Sequence, residues 1–250
     1  MDQKNQRNTY KFQEGAFFLI NKPLEWTSFD VVNYFRKFLR SKFNINKIKV
    51  GHAGTLDPMA SGLLILCTGK YTKKISEFQS MAKEYEGTIN IGASTPSYDT
   101  ETPIDNEYDI SHISEILIRE TTNQFIGPIM QIPPIFSAVK VKGKKAYDYA
   151  RKQETIELKP RSVTINKFEI ISVRKEKYIE IDFIINCSKG TYIRSLAHDF
   201  GKAINSGAHL ASLCRTKIGD YSLNDALILP DLINKITNDY GKNSEDKSRV

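Results

Sequence analysis

The stretch GHAGTLDPMASGLLILCTG, residues 51–69, holds the residue types best suited to chemistry. His52 and Asp57 stand among glycines that precede an apolar run. Glycine permits turns and close approach of a ligand, while Pro58 stiffens the chain directly after the acid. A carboxylate on such a loop suits general-base or nucleophilic chemistry. The same acid suits capping of a turn or helix, and composition alone favours that structural role.

Other kinds of site have less support in the sequence. His52 and Asp57 have no further clustered ligands, so a metal site is not predicted. The cysteines Cys67, Cys187 and Cys214 lie far apart with neither zinc-like nor disulfide-like spacing, which predicts reduced thiols. The chain carries neither a P-loop nor a G-x-S-x-G elbow. The residues alone therefore predict neither a metal site nor a phosphate-binding loop.

A basic segment, QIPPIFSAVKVKGKKAYDYARK at residues 131–152, mixes cations with aromatic residues. This mixture suits contacts to phosphates and stacking on bases, which predicts nucleic-acid binding. A solvated lysine face explains the same pattern almost as well. The candidate RNA-binding side chains in this segment are Lys140, Lys142, Lys144, Lys145 and Arg151.

Arg194 lies in CSKGTYIRSLAHDFG, residues 187–201, near the expected start of a helix with an apolar face. A cation at a helix N-terminus interacts unfavourably with the helix dipole. An ion pair with a carboxylate would offset that cost and explain an arginine at this position. An ordinary surface arginine is the equal alternative. The sequence thus marks Arg194 as a candidate member of an ion pair.

The hydrophobic pattern predicts the elements that position these residues. Short apolar or alternating runs predict strands at 17–20, 63–67, 85–91, 163–173 and 178–187. Helical spacing predicts helices beginning at Thr27 or Ser28, near residue 113 and near Thr191. Because strands and helices mingle without a regular β-α-β repeat, we predict an α+β fold with a mixed, mostly antiparallel central sheet flanked by helices and loops.

Length and charge bound the protein class. With 250 residues, of which 40% are hydrophobic, the chain predicts one large domain at 1–230. A short C-terminal tail is expected at 231–250. Its last part, NDYGKNSEDKSRV, and residues 1–12 are expected to be loose or disordered. The net charge of +7 makes a polyanion the first partner to consider. No apolar run approaches the ~20 residues of a membrane span, and the N-terminus lacks a signal-peptide core. We expect a cytoplasmic monomer without membrane contact.

Five segments resemble, in this order, motifs of the bacterial tRNA pseudouridine synthases of the TruB family: NKPLEWTS, GHAGTLDPMASGLLILCTGKYTK, KEYEG, IPPIFSAVKVKGKKAYDYAR and CSKGTYIRSLAHDFG. The resemblance runs from about Gly15 to about Tyr221. It implies the pseudouridine synthase fold and cofactor-free isomerisation of the T-loop uridine that is conventionally numbered 55. Many members carry a C-terminal RNA-binding barrel of the PUA type. Only about thirty residues follow Gly219, so we expect no such barrel in this chain.

The resemblance also implies roles for single residues. Asp57 falls on the family's catalytic aspartate, and His52 on a histidine that helps extrude the target base and hold the flipped T loop. Tyr85 falls on the tyrosine that packs against the target base and has been proposed to help remove its C5 proton. Each of these residues is therefore expected in or beside the active site.

Four further positions follow from the same resemblance. Arg194 falls on the arginine that pairs with the catalytic aspartate. Tyr192 and Lys22 fall on pocket positions, Lys22 with an expected RNA contact. Asp99 matches an acidic position in a mobile segment that clamps RNA.

Two other functions remain open from the sequence. A chaperone that opens and releases the tRNA elbow would use the same groove, but a pure binder has no need of Asp57. The catalytic subunit of a guide-RNA-directed particle would share the motifs, and the expected lack of the C-terminal barrel argues against it. We expect the T arm of tRNA as partner and no obligatory protein partner.

Overall fold

The computed structural model describes residues 12–152 and 154–245, the last five by their backbone alone. The described residues fall into two compact units. One unit comprises the described parts of 1–80 and 217–250, and the other comprises those of 81–216. Each unit is described by itself below.

The secondary-structure elements are as follows. The strands are β1 (Phe17–Lys22), β2 (Val50–His52), β3 (Ala60–Thr68), β4 (Lys83–Ile91), β5 (Ala93–Ser94), β6 (Asn106–Glu107), β7 (Gly127–Gln131), β8 (Lys140–Val141), β9 (Lys144–Lys145), β10 (Arg161–Lys175), β11 (Ile179–Cys187), β12 (Ala208–Ile218) and β13 (Tyr221–Ser222). The α-helices are α1 (Ser28–Phe43), α2 (Ile75–Ser80), α3 (Glu115–Thr121), α4 (Ala146–Arg151), α5 (Ile193–Ala203) and α6 (Leu229–Glu245). Short 3₁₀ turns lie at Gly69–Lys74, Thr122–Phe125 and Leu223–Asp225.

In the first unit, β3 pairs antiparallel with both β1 and β2. Helix α1 begins as predicted, because a capping box closes its first turn. The Thr27 hydroxyl accepts from the Asp30 N–H, and the Asp30 carboxylate accepts from the Thr27 N–H. One core cluster joins the buried face of α1 to this sheet and to α6. Strand β3, which follows the loop that carries Asp57, is therefore packed against an apolar core.

The C-terminal tail is a correction to the sequence prediction. Helix α6, Leu229–Glu245, extends into NDYGKNSEDKSRV, residues 238–250, for which the sequence predicted disorder. Leu229, Leu232 and Ile236 recur at helical spacing and are buried in the core cluster. Phe12, placed in the disordered start, is likewise buried, and residues 1–11 and 246–250 lie outside the described residues.

In the second unit, the strands form a sheet in the order β12-β4-β11-β10-β7, and β4 of this sheet holds Tyr85. Strands β4 and β11 pair antiparallel from Lys83 with Cys187 to Ile91 with Ile179. Strands β10 and β11, and β10 and β7, also pair antiparallel. Helix α5 packs its fully buried Phe200 against Phe168, with 5.4 Å between ring centroids. The α+β class and the mostly antiparallel sheet are confirmed.

Gly87 on β4 lies close against the backbone of β12. A Cβ at this position would collide with the backbone oxygen of Ser212, which cannot move aside as a side-chain tip could. We expect Gly87→Ala to destabilise the fold by about 1–3 kcal/mol, measured by urea unfolding. The exposed neighbour Glu86 is the control, since Glu86→Ala should change stability by no more than ~0.5 kcal/mol. Equal stability of Gly87→Ala and the wild type would contradict this account of the strand spacing.

Most predicted elements are observed within a few residues of their expected bounds. The long strands β10 and β11 and the start of α1 agree most closely, whereas the helix expected from residue 113 is split into α3 and a 3₁₀ turn. No helix among the residues that the structure describes is long and apolar enough to cross a membrane.

Candidate active site

The loop that carries Asp57 connects β2 to β3 in the first unit and is held by α1. The Ser28 hydroxyl, which is buried, accepts from the Leu56 N–H at 2.8 Å and donates to the Leu56 oxygen at 3.1 Å. The Glu25 N–H donates to the Pro58 oxygen at 2.8 Å. These bonds bracket Asp57 on both sides, so its backbone is fixed before any substrate arrives. The half-buried position of Asp57 suits a carboxylate that meets a substrate.

The same bonds explain the motif NKPLEWTS, which supplies Glu25 and Ser28. Lys22, from the same motif, is fully buried, and its ammonium donates to the backbone oxygens of Pro23 at 2.9 Å and Trp26 at 2.6 Å. This places Lys22 as a structural residue of the turn. Its predicted contact with RNA stays a prediction, although a buried ammonium bonded to carbonyls is poorly placed for a phosphate.

His52 ends β2, where it pairs with Leu66 of β3, and it is half-buried. It therefore lies in the same unit as Asp57 and five residues before it. The sequence prediction that His52 helps to extrude the target base is not tested by this placement.

Tyr85 and Tyr192 are both in the second unit. Tyr85 lies on β4 opposite Ile185 of β11, with 9% of its surface exposed. Tyr192 precedes α5, and buried Gln131 clamps its backbone by accepting from the Tyr192 N–H at 2.8 Å and donating to the Tyr192 oxygen at 3.0 Å. Sequence reasoning missed Gln131, because a lone glutamine at the end of β7 gives no signal of its distant partner.

Arg194, in the first turn of α5, has the carboxylate partner that the sequence prompted us to expect. Its Nη1 lies 3.3 Å from Oδ2 of Asp99, and the two side chains are 4% and 5% exposed. Arg194 also donates to the backbone oxygens of Ser97 at 3.3 Å and Phe136 at 3.0 Å. Asp99 is thus a buried member of an ion pair in this structure, and its predicted RNA contact is untested. The pairing of Arg194 with Asp57 likewise stays a prediction.

Two buried cations beside Tyr85 had no sequence signal. Lys83, two residues before Tyr85 on β4, donates to the Met81 oxygen at 2.6 Å. The contacts of Thr216 with Glu84 and of Ser212 with Thr88 set the register of β12 against β4. Arg215, next to Thr216 on β12, is buried as well. Burial, and next the charge of Arg215, lowers the pKa of Lys83 to about 8.

The basic segment forms a distinct structure in the second unit. Strands β8 and β9 form a hairpin with a two-residue turn. The turn residues, Lys142 and Gly143, both have positive φ. Helix α4 follows at once, and Lys145 and Arg151 lie over the Tyr147 ring at 5.2 and 5.3 Å from its centroid. The five predicted cations are all exposed: Lys140, Lys142, Lys144, Lys145 and Arg151. The structure therefore exposes all five on the β8–β9 hairpin and α4, which together are called the basic tip.

A second group of lysines, in the first unit, was missed. Lys47, Lys49, Lys70 and Lys73 line a cavity of about 450 Å³ together with Gln13, Ile48, Gly69 and Thr72. No acidic side chain is among these lining residues. The lysines come from two segments more than twenty residues apart, so no single stretch of sequence reveals their clustering.

The comparisons with known proteins agree with the fold and with the motifs. Residues 40–193 match the model of the TruB family pseudouridylate synthases, N-terminal domain. The chain is 56% identical over 218 residues to the tRNA pseudouridine synthase B of Flavobacterium johnsoniae, covering 87% of this chain and 94% of that protein. It is 53% identical over 216 residues to the enzyme of the same name from Phocaeicola vulgatus, covering 86% and 91%.

Among solved structures, the crystal structure of a Cbf5-Nop10-Gar1 complex contains a similar chain, with a TM-score of 0.65 and 26% identity. The match covers 89% of this chain and 54% of that one. The fold and the family match together define a pseudouridine synthase. The chain belongs to the TruB family of these enzymes.

Proposed function

We propose that this enzyme converts uridine 55 in the T loop of tRNA to pseudouridine. The printed names of the relatives support tRNA as substrate. The observation that carries the proposal is the loop bearing Asp57, held on both sides through Ser28 and Glu25, in a chain that matches the family over most of its length. The position in the T loop follows from the five motifs that resemble the family.

The reaction needs a carboxylate and no redox partner. The bond from C1′ to N1 of uracil breaks, the base turns, and a bond forms from C1′ to C5, while C5 loses a proton and N1 gains one. Atoms and electrons balance without a cofactor. Asp57 serves ionised, either by attacking C1′ or the base or by removing the 2′ proton.

The Asp99–Arg194 pair keeps a guanidinium in place at the start of α5. A buried ion pair with further bonds to backbone oxygens holds Arg194 in one orientation. We propose that the positive charge so held keeps Asp57 ionised in the low-dielectric site. Asp99 would then act through Arg194.

Access to the target base has a cost that this protein must offset. Flipping a base from a folded loop costs a few kcal/mol. Stacking on an aromatic ring contributes about 1–3 kcal/mol per base, and Tyr85 is the candidate ring. The tip formed by β8, β9 and α4 would add contacts to phosphates.

The decisive test uses the purified chain alone. A T-arm stem-loop carrying tritium at C5 of uridine 55 should release tritium, and the same RNA with the label at another uridine should not. Release without any added protein or guide RNA supports a stand-alone enzyme. No release from the labelled position, with intact tRNA also inert, would overturn the proposal.

The basic tip should contribute binding rather than chemistry. We expect Lys142→Ala, Lys144→Ala and Lys145→Ala in one variant to weaken tRNA binding, each lost phosphate contact lowering the slope of log Kd against log salt by ~0.7 to 0.9. Turnover at saturating tRNA should persist. The measurement is Kd against salt concentration.

A charge-matched variant provides the control for the basic tip. Lys167, Lys175 and Lys235 are exposed and lie outside the tip. Their replacement by alanine removes the same charge and should leave the slope unchanged. If both triple variants behave like the wild type, the tip is only a solvated surface.

A further inference from the structure

The segment before and after Asp99 is folded tightly on itself within the second unit. The hydroxyls of Thr95 and Ser97 both donate to the Asp99 backbone oxygen, at 2.6 and 3.2 Å. Ser97 Oγ also lies 2.8 Å from Thr102 Oγ1, and Asp99 Oδ1 accepts from the Glu101 N–H at 2.9 Å. The polar side chains of this loop therefore satisfy one another, and they set the direction in which the Asp99 carboxylate points.

Tyr98, inside this loop, has an unusual backbone. Its φ is 64°, in the left-handed region that bulky residues rarely adopt. Such a conformation persists only where the surroundings enforce it. The ring of Tyr98 stacks on the imidazole of His198, with centroids 3.8 Å apart and planes inclined by 12°. The stack holds this conformation together with two backbone bonds, from the Tyr98 N–H to the Thr95 oxygen at 3.1 Å and from the Leu210 N–H to the Tyr98 oxygen at 2.9 Å.

His198 and Arg194 lie on one face of α5. They are four residues apart, which is about one helical turn. The neighbouring loop residues Tyr98 and Asp99 thus contact the helix at two successive positions, one by a ring stack and the other by an ion pair. A loop held at one point can pivot, whereas a loop held at two cannot.

We propose that His198 is a positioning residue: through its stack with Tyr98 it fixes the loop so that Asp99 holds Arg194 in its working orientation. This inference rests on the proposed function, in which Arg194 serves the reaction. His198 itself contacts neither RNA nor the reacting atoms in this proposal.

The stack needs a flat ring and no charge. Burial, and then the charge of Lys202, lowers the pKa of His198 to about 4, while Asp105 opposes the shift. Burial, and then the charges of Asp199 and Asp105, raises the pKa of Tyr98. Both rings are therefore neutral near neutral pH. His198 Nδ1 is buried and makes no hydrogen bond to the residues that the structure describes, so a hydrocarbon ring loses no bond at that atom.

The test compares His198→Ala, which removes the ring, with His198→Phe, which keeps one. We measure the single-turnover rate at saturating enzyme on the T-arm stem-loop, the Kd for that RNA, and thermal unfolding. A displacement of about 1 Å at a catalytic group costs ~10²-fold in rate, so His198→Ala should slow the reaction by about 10- to 100-fold. The Kd should stay within about threefold, and His198→Phe should stay within about threefold of the wild-type rate. Lys202→Ala, exposed on the same helix, should keep the wild-type rate.

The decisive step repeats the substitution in an Asp99→Asn background. Because His198 acts through Asp99, His198→Ala should add less than about threefold to the loss caused by Asp99→Asn alone. If His198→Ala lowers the rate by the same factor in the wild-type and Asp99→Asn backgrounds, the proposal is overturned. A wild-type rate for His198→Ala, or a failure of His198→Phe to retain activity, would also overturn it.

A folding failure of the variant and a failure of the proposed function must be distinguished from a failure of this inference. If His198→Ala does not fold, Tyr98→Ala takes its place, with the same expected loss and the same lack of additivity. If the wild-type enzyme itself releases no tritium from the T arm, the proposed function fails. A wild-type enzyme that is active, with a His198→Ala variant equally active, refutes the role of His198 alone.

Discussion

Replacement of Asp57 by asparagine is expected to abolish turnover while tRNA affinity changes by less than about tenfold, or ~1.4 kcal/mol. Asparagine keeps the size of the side chain but supplies neither a nucleophile nor a base. The loop should keep its shape, because the bonds that hold it run through Ser28, Leu56, Glu25 and Pro58. The effect should therefore fall on chemistry alone.

The measurement is tritium release from the T-arm stem-loop, with Kd determined separately on the same RNA. The exposed acid Asp220 offers a matched control, and Asp220→Asn should react at the wild-type rate. Turnover of Asp57→Asn above a few per cent of the wild type would remove Asp57 from its assigned role.

The same variant distinguishes catalysis from an RNA-folding function. A chaperone that opens the tRNA elbow depends on binding, which Asp57→Asn should retain. If the variant still promotes folding of a misfolded tRNA while releasing no tritium, this chain has both activities, and only the isomerisation depends on the Asp57 carboxylate. If the wild type folds tRNA but never isomerises it, the chaperone alternative prevails.

The sequence predicted those parts of the fold that follow from local patterns. Strict alternation over 85–91 and 178–187 was enough for β4 and β11, and Thr27 or Ser28, as a candidate cap, marked the start of α1. Helix α6 was missed because its apolar positions, Leu229, Leu232 and Ile236, are interspersed with polar residues and become informative only when a partner surface is known. Burial of a sparse apolar stripe is a property of the fold rather than of the segment.

The site divides in the same way. Motifs identified Asp57 and Arg194, but the buried state of Asp99 was not predictable from STPSYDTET, which has the composition of an exposed loop. Its hydroxyls and carboxylate are satisfied by one another and by Arg194, and such pairing depends on residues far apart in the chain. Gln131 and the lysines around the cavity of the first unit were missed for the same reason.

Arg194→Met is expected to make the reaction depend on pH in a range where the wild type does not. With the arginine present, the Asp57 carboxylate should stay ionised well below neutral pH, so the single-turnover rate should be nearly flat across the neutral range. If Arg194 pairs with Asp57 as proposed, loss of its positive charge should raise the pKa of Asp57 by about 1–3. Because the ionised form reacts, the rate of the variant should fall as pH decreases from neutral to mildly acidic values.

The buried partner of Arg194 requires a second variant. Removing the guanidinium leaves the Asp99 carboxylate, 5% exposed, without the cation that stabilises it, and breaking a buried pair from one side costs about 3–5 kcal/mol. Arg194→Met combined with Asp99→Asn removes both charges and should restore much of the lost stability. Its pH profile should still show the fall toward acid, since the fall arises from Asp57. Asp99→Asn alone keeps the guanidinium and should lower the rate equally at every pH.

Arg194→Lys completes the series, because lysine keeps the charge but cannot form the forked bonds of a guanidinium. Its profile should lie between those of the wild type and Arg194→Met. The rates are measured on the T-arm stem-loop from neutral to mildly acidic pH, with folding checked by circular dichroism at each pH. A Met variant that loses activity equally at all pH values would assign Arg194 to orientation of the RNA or of the aspartate, without control of its ionisation. Full activity would remove Arg194 from the site and leave its ion pair with Asp99 a purely structural role.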